Sequence, residues 1–343
     1  MTGQNLTLDI DADGIALVTW DMPDRSMNVI DQAVMDELDA IVDKVAADAA
    51  IKGAVVTSAK DTFCAGADLA MLQRLLGNFA ASVKANGEAD AAQKLFDASR
   101  RLSLIYRKLE TSGKPWVAAI NGTALGGGFE LCLACHHRVA AQNPKTRLGL
   151  PEIKVGLFPG GGGTQRIARM MPPADALQLL LKGDQLPLDR AKALKLVDEI
   201  VPAADLVATA KAWVKGGGKA QAPWGDQGFR LPGGMMRFPP ANAIYRRETY
   251  DNYPAARALL QTVFDGLQVP FDTGLRIESR WFAHVLRTPE AAAMIRSLFG
   301  SMQDLNKGAR RPKNVPATKL KRVGIIGAGF MGAGIAYVSA LAG

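Results

Sequence analysis

The sequence predicts an α/β fold, and three observations carry that prediction. Short runs dense in apolar and β-branched residues alternate with segments of helical spacing as far as about residue 215. Glycines stand repeatedly where a strand should give way to a helix. The 343 residues exceed one average domain, so a large domain with an added segment is expected.

The opening "LTLDIDADGIALVTW" is two alternating runs around Asp13-Gly14, a hairpin signal. Val34, Leu38, Ile41, Val42 and Val45 then repeat at helical spacing. "GAVVTSA" reads as a buried strand. Asp68 is placed to cap a helix carrying Leu69, Leu72 and Leu76. Leu102, Ile105, Tyr106 and Leu109 mark a further helix, and "WVAAI" a further strand. Residues 1–215 are expected to form the core. Residues 216–240 are rich in Gly and Pro and read as a surface loop. Helical patterning then resumes, with Thr288-Pro289-Glu290 as a capped start, so 216–308 should complete and cover the core. A basic linker over 309–320 and a glycine-rich segment over 321–343 follow. No internal sequence repeat is visible.

The net charge of +8 suggests a nucleic-acid partner until it is located. Beyond Asp304 there is no acid, while Lys307, Arg310, Arg311, Lys313, Lys319, Lys321 and Arg322 are all basic. Without those seven the balance is 34 bases against 33 acids, so the body is nearly neutral. The basic stretch has the Pro and Lys content of a solvated linker and no aromatic interleaving, so no nucleic-acid partner is expected. No apolar run has the length of a membrane span. The first residues show no secretory signal and three cysteines cannot all pair, which makes the cytoplasm the expected compartment.

Residues 126–137, "GGGFELCLACHH", admit two chemical readings. Cys132, Cys135 and His136 match the C-x-x-C-H of covalent haem attachment. That reading lacks its context, because Leu131 to Cys135 continue an apolar helix, where cysteine behaves as a small hydrophobe. Zinc would need a second ligand pair, and only Cys64 remains. No metal site is expected, and His136 and His137 should end the helix as structural residues.

In the other reading the glycines and the lone carboxylate of Glu130 carry the chemistry. "NGTALGGGFE" runs from a strand into a helix, whose first N–H groups stay unpaired and can stabilise an oxyanion. "FCAGADL" at 63–69 is a second turn of this kind. Further on, "LGLPEIKVGLFPGGGGTQR" adds Glu152 ahead of another glycine cluster, which is not a phosphate-binding loop because no Lys-Ser/Thr follows it.

Taken together, "SMNVID" (26–31), "FCAGADL", "NGTALGGGFELCLACHHRVAA" and "LPEIKVGLFPGGGGTQRIAR" resemble the crotonase superfamily, in particular enoyl-CoA hydratase. The resemblance covers most of residues 5–215. It implies a spiral of ββα units with a helical C-terminal region. "PWGDQGFRLPGG", "IESRWFAHVLRTPEAAAMIRSLF" and "KRVGIIGAGFMGAGIA" extend the likeness to bifunctional fatty-acid oxidation proteins, where a hydratase precedes an NAD-dependent 3-hydroxyacyl-CoA dehydrogenase. Gly327, Gly329, Met331 and Gly332 lie in a G-x-G-x-x-G turn that would hold NAD. The ribose-binding acid expected about 20 residues on would fall beyond Gly343, so an incomplete Rossmann βα start without tight NAD binding is expected.

The resemblance also implies a reaction: hydration of a trans-2-enoyl thioester of coenzyme A in β-oxidation, needing no cofactor. By motif position the backbone N–H groups of Ala67 and Gly127 form the oxyanion hole. Glu130 would activate water, and Glu152 would deliver a proton. Arg25, Ser26, Met27 and Ala65 would lie near the CoA adenosine and phosphates. The other readings are 3-enoyl-CoA isomerisation, thioester hydrolysis, a scaffold for a thiolase subunit, or simple NAD binding.

Overall fold

The computed structural model describes residues 3–226, 228–232, 238–312, 314–315 and 321–342. They fall into two compact units, residues 1–299 and 300–343. The first unit starts with a hairpin of β1 (Leu6–Ile10) and β2 (Ile15–Trp20), in which Leu6 faces Trp20 and Ile10 faces Ala16. The Asp11 carboxylate closes the turn by accepting the N–H groups of Asp13 and Ile15, and Gly14 takes a φ of +79° there. Helix α1 (Gln32–Ala47) is capped by Asp31 and buries the five predicted apolar residues together with Met35.

The chain then enters β3 (Gly53–Ser58), which lies parallel to β2. Asp68 caps α2 (Leu69–Asn86) as expected, although only Leu72 of that helix is fully buried. Gly87 separates α2 from α3 (Glu88–Glu110). Next come β4 (Trp116–Ile120), the two-residue β5 (Ala124–Leu125) and α4 (Gly127–Ala134). The same order recurs in β6 (His137–Ala141), the short β7 (Leu148–Gly149), a 3-10 turn at Pro151–Val155 and α5 (Gly163–Met170). Each unit sends a long strand to one sheet, a short strand to another, and then a helix. The structure thus repeats where the sequence does not.

Helix α6 (Pro173–Lys182), β8 (Gln185–Leu186), α7 (Leu188–Ala193), β9 (Glu199–Val201) and α8 (Leu206–Lys215) follow. The main sheet has the order β1-β2-β3-β4-β6-β9, and the small one β5-β7-β8. The central strands are mostly apolar because both faces are covered, and the buried Thr57 of β3 gives its hydroxyl to the Ala119 carbonyl. Ala54, Val56, Trp116, Ala118 and Ile120 enter the main core, whereas Val55, Val117 and Ala119 pack against Leu206, Ala210 and Val214 of α8.

Within 216–240, residues 227 and 233–237 lie outside the described residues, and the remainder holds only a short turn at Pro223–Gly225 before the next helix begins. Helices α9 (Phe238–Thr249), α10 (Pro254–Gly266), α11 (Phe271–Leu286) and α12 (Pro289–Met294) supply the expected helical region. Thr288 caps α12 by accepting the Ala291 N–H. A π-helical turn runs from Ile295 to Ser301.

The structure corrects two local expectations. His136 and His137 do not end α4, which stops at Ala134. His136 already pairs alongside β4: its N–H donates to the Trp116 carbonyl, and its Nδ1 accepts the Trp116 N–H. His137 opens β6, stacked on Trp213 and bonded to Glu199.

In the second unit, α13 (Met302–Asn306) precedes α14 (Phe330–Leu341). Residues 313 and 316–320 of the basic linker lie outside the described residues. The strand expected before the glycines is absent, since residues 321–328 pair with no strand among the described residues and a strand exists only through a ladder partner. No described helix is long and apolar enough to cross a membrane.

Candidate active site

Two backbone turns meet at the heart of the first unit. Asn28 anchors the first: its amide donates to the carbonyls of Trp20 and Phe63 and to Ser58 Oγ, while its own carbonyl accepts the Ala65 N–H. Ile30 continues the pairing, donating to the Gly66 carbonyl and accepting from the Asp68 N–H. In this parallel register the intervening Ala67 N–H points away from Ile30. The second turn enters α4, where Gly126 takes a φ of +52° and its N–H donates to Gly149 O. Leu125 N–H donates to Cys64 O, which draws the two turns together. A Cβ on Gly126 would lie 3.5 Å from the Gly66 Cα, so this is a backbone-to-backbone approach. Among the described residues the N–H groups of Ala67 and Gly127 have no hydrogen-bond acceptor.

Both predicted glutamates lie against this junction. Glu130, one turn into α4, is buried, and its Oε1 accepts the N–H groups of Gly161 at 2.8 Å and Gly163 at 2.7 Å. Its other oxygen lies 3.9 Å from where a Cβ on Gly127 would be. Glu152 follows β7, whose pairing with β5 carries it to the α4 turn; its Oε1 lies 3.0 Å from a Cβ built on Gly126. Glu152 Oε2 is buried with no partner among the described residues. Burial pushes the Glu130 carboxyl up to about 7, against the pull of the two glycine donors and Arg166. Burial, and then the charge of Glu130, raises Glu152 well above the usual carboxylate range. Two such groups cannot both ionise cheaply near neutral pH, so one carries a proton while the other can accept one.

A third buried carboxylate, Glu278 on α11, escaped the sequence reading. It accepts the N–H groups of Gly162 and Thr164 and the Thr164 hydroxyl. Burial and the Glu130 charge raise it to about 8. Its signal was present: with Gly274, Leu275, Phe282 and Val285 it shares the buried face of α11, and a carboxylate on an apolar stripe needs a reason.

The other singled-out residues fare differently. Ser26 and Met27 are exposed next to the Ala65 turn, and the Ala65 N–H is already bonded to Asn28. Arg25 pairs with Asp68 at 3.1 Å. Cys132 and Cys135 are buried, and burial pushes both thiols up, Cys135 to about 12, which makes them poor nucleophiles and ligands. Gly327 and Gly329 lie in the turn into α14 of the second unit, and Met331 and Gly332 in the first turn of that helix.

This arrangement has known counterparts. The pattern of the enoyl-CoA hydratase/isomerase family matches residues 11–216. The fatty acid oxidation complex subunit alpha of Shewanella amazonensis is 37% identical over an alignment of 338 residues that covers 95% of this chain and 45% of that protein. The chain therefore spans somewhat under half the length of the curated relatives it matches. Among solved structures, an enoyl-CoA hydratase from Bacillus anthracis aligns at 25% identity with a TM-score of 0.50, covering 89% of this chain and 97% of that one. An enoyl-CoA hydratase/isomerase from Xanthobacter autotrophicus shares the fold at 24% identity and a TM-score of 0.59, covering 92% and 100%. With the ββα spiral, the paired turns and the match over 11–216, the chain belongs to the enoyl-CoA hydratase/isomerase family.

Proposed function

We propose that this chain adds water across the double bond of a trans-2-enoyl thioester of coenzyme A, giving the 3-hydroxyacyl thioester. The observation that carries the reading is a pair of N–H groups without partners among the described residues, beside the buried Glu130 and the half-buried Glu152, both of raised proton affinity. As water adds to the β-carbon, charge moves to the thioester oxygen, and the Ala67 and Gly127 N–H groups hold it. Losing one such donor typically costs about 3–4 kcal/mol of barrier. Glu130, whose Oε1 is held by the Gly161 and Gly163 N–H groups, takes the proton from water. Glu152 gives a proton to the α-carbon. Neither step calls on a cofactor. Ser26, Met27 and the Ala65 backbone line the rim where CoA would lie, and Arg25 would have to leave Asp68 to meet a phosphate.

The relatives' name, a complex subunit alpha of fatty acid oxidation, supports placing the reaction in fatty-acid oxidation with a further subunit as partner; we propose a thiolase as that subunit and the cytoplasm as the compartment. The turn at 327–332 suits a pyrophosphate: Gly327 has a φ of +91°, and a Cβ on Gly332 would overlap the Gly327 carbonyl. Gly327, Gly329 and the first N–H groups of α14 would hold NAD there. When bound, NAD would supply an acceptor for the hydride of the carbon that carries the 3-hydroxyl. Among the described residues no neighbouring strand lies beside that turn.

The test is a steady-state assay of trans-2-enoyl-CoA hydration from C4 to C16, run beside 3-enoyl-CoA isomerisation. Hydration should dominate at every length that turns over. Faster isomerisation would move the assignment to the other branch of the family, and no turnover of either would favour the scaffold reading.

A further inference from the structure

The segment Gly161–Thr164 offers four successive N–H groups, and they alternate between two carboxylates. Gly161 and Gly163 donate to Glu130, whereas Gly162 and Thr164 donate to Glu278. We infer that Glu278 is a positioning residue, which grips the glycine turn through one set of N–H groups and so fixes the other set on Glu130. The inference rests on Glu130 being the catalytic base.

The surroundings support this division of labour. Gly161 and Gly163 both bond Oε1 of Glu130, so the turn sets which oxygen is engaged and leaves the other near Gly127. Gly162 has a φ of +100°, and a Cβ there would strike the Arg166 guanidinium, so the turn has no stiffening of its own from side chains. It is held from outside. Arg166, itself fixed by Glu110, donates to the Gly161 carbonyl at 3.0 Å. Gln165 donates to Thr164 Oγ1 and to the Thr262 carbonyl of α10. Glu278 is the group that takes the N–H donors Glu130 does not. A carboxyl suits that task because both of its oxygens accept backbone N–H groups, and a proton held on one of them can be shared with the Thr164 hydroxyl. Glutamine would present one acceptor and one donor, and its NH₂ group would face a backbone N–H that cannot turn away.

Glu278→Gln should therefore lower kcat for crotonyl-CoA hydration by about 10²-fold, the usual cost of a misplaced catalytic group. KM, and the Kd for acetoacetyl-CoA by calorimetry at one site per chain, should stay within about twofold, because the Ala67 and Gly127 donors are untouched. In a Glu130→Gln background the same change should cost less than about threefold, since it acts through a base already removed. Unchanged kcat in Glu278→Gln, or a full multiplicative loss in the double variant, would overturn the inference. If Glu278→Gln does not fold, Thr164→Val and Thr164→Ser decide. Valine should lose several-fold in kcat and serine should restore it, while wild-type kcat in the valine variant would overturn the proposal. Failure of the underlying reading looks different: Glu130→Gln itself would retain kcat.

Discussion

Glycines introduce helices in both units, at Gly126–Gly128 and Gly160–Gly163 in the first and at Gly327–Gly332 in the second. In the first unit the turns are buried and every gap a side chain might fill is taken: a Cβ on Gly163 would lie 2.7 Å from Glu130 Oε1 and 2.7 Å from Leu150. In the second, Ile326 and Phe330 are almost wholly exposed, and a Cβ on Gly329 would meet nothing within 4 Å. A glycine turn before a helix supplies donors in either setting. Among the described residues only the first adds carboxylates packed against the turns, and desolvation turns an ordinary acid into a group that exchanges protons near neutral pH.

That contrast can be broken at graded cost. Glu130→Gln or Glu152→Gln should lower kcat for crotonyl-CoA hydration by about 10²–10⁴-fold with little change in KM. A merely structural role predicts a lower melting temperature with activity per folded molecule retained. Gly163→Ala should come next. Its methyl has to displace the Glu130 carboxylate or Leu150, costing about 1–3 kcal/mol of stability and at least tenfold in kcat by the usual sensitivity to a misplaced group. Cys132→Ala and Cys135→Ala should each cost about 1–2 kcal/mol in a urea melt and leave hydration nearly intact. Stoichiometric haem or zinc in the purified protein would contradict the packing role. Gly329→Ala should be smallest, within about 0.5 kcal/mol, and a larger loss would show that its turn is packed after all.

How far the sequence could be read follows the same contrast. The hairpin at Asp13-Gly14, the Asp31-led helix with its apolar stripe and the Asp68 cap are local signals, each needing only near neighbours in the chain. Glu130 and Glu152 were legible because each adjoins glycines in a family motif. The strand expected before Gly327 does not form, because apolar content alone makes no strand and no partner lies beside it among the described residues. The histidines were misread because pairing of His136 with Trp116 is a long-range bond that outweighs continuation of α4. Glu278 was missed for a related reason. Its partners, Gly162 and Thr164, are remote in sequence, and only packing of α11 on α5 reveals them.

The central claim is that burial makes Glu130 a base suited to neutral pH, and the pH dependence of hydration tests it most directly. A base must be unprotonated to act, so activity is lost as pH falls through its pKa. With the Glu130 carboxyl raised to about 7, kcat/KM for crotonyl-CoA should show an acid limb centred near pH 7, falling about tenfold per pH unit below it. The limb should vanish in Glu130→Gln, whose residual rate should be flat across the same range. A wild-type profile that stays flat down to pH 5, or a limb that persists unchanged in Glu130→Gln, would contradict the account.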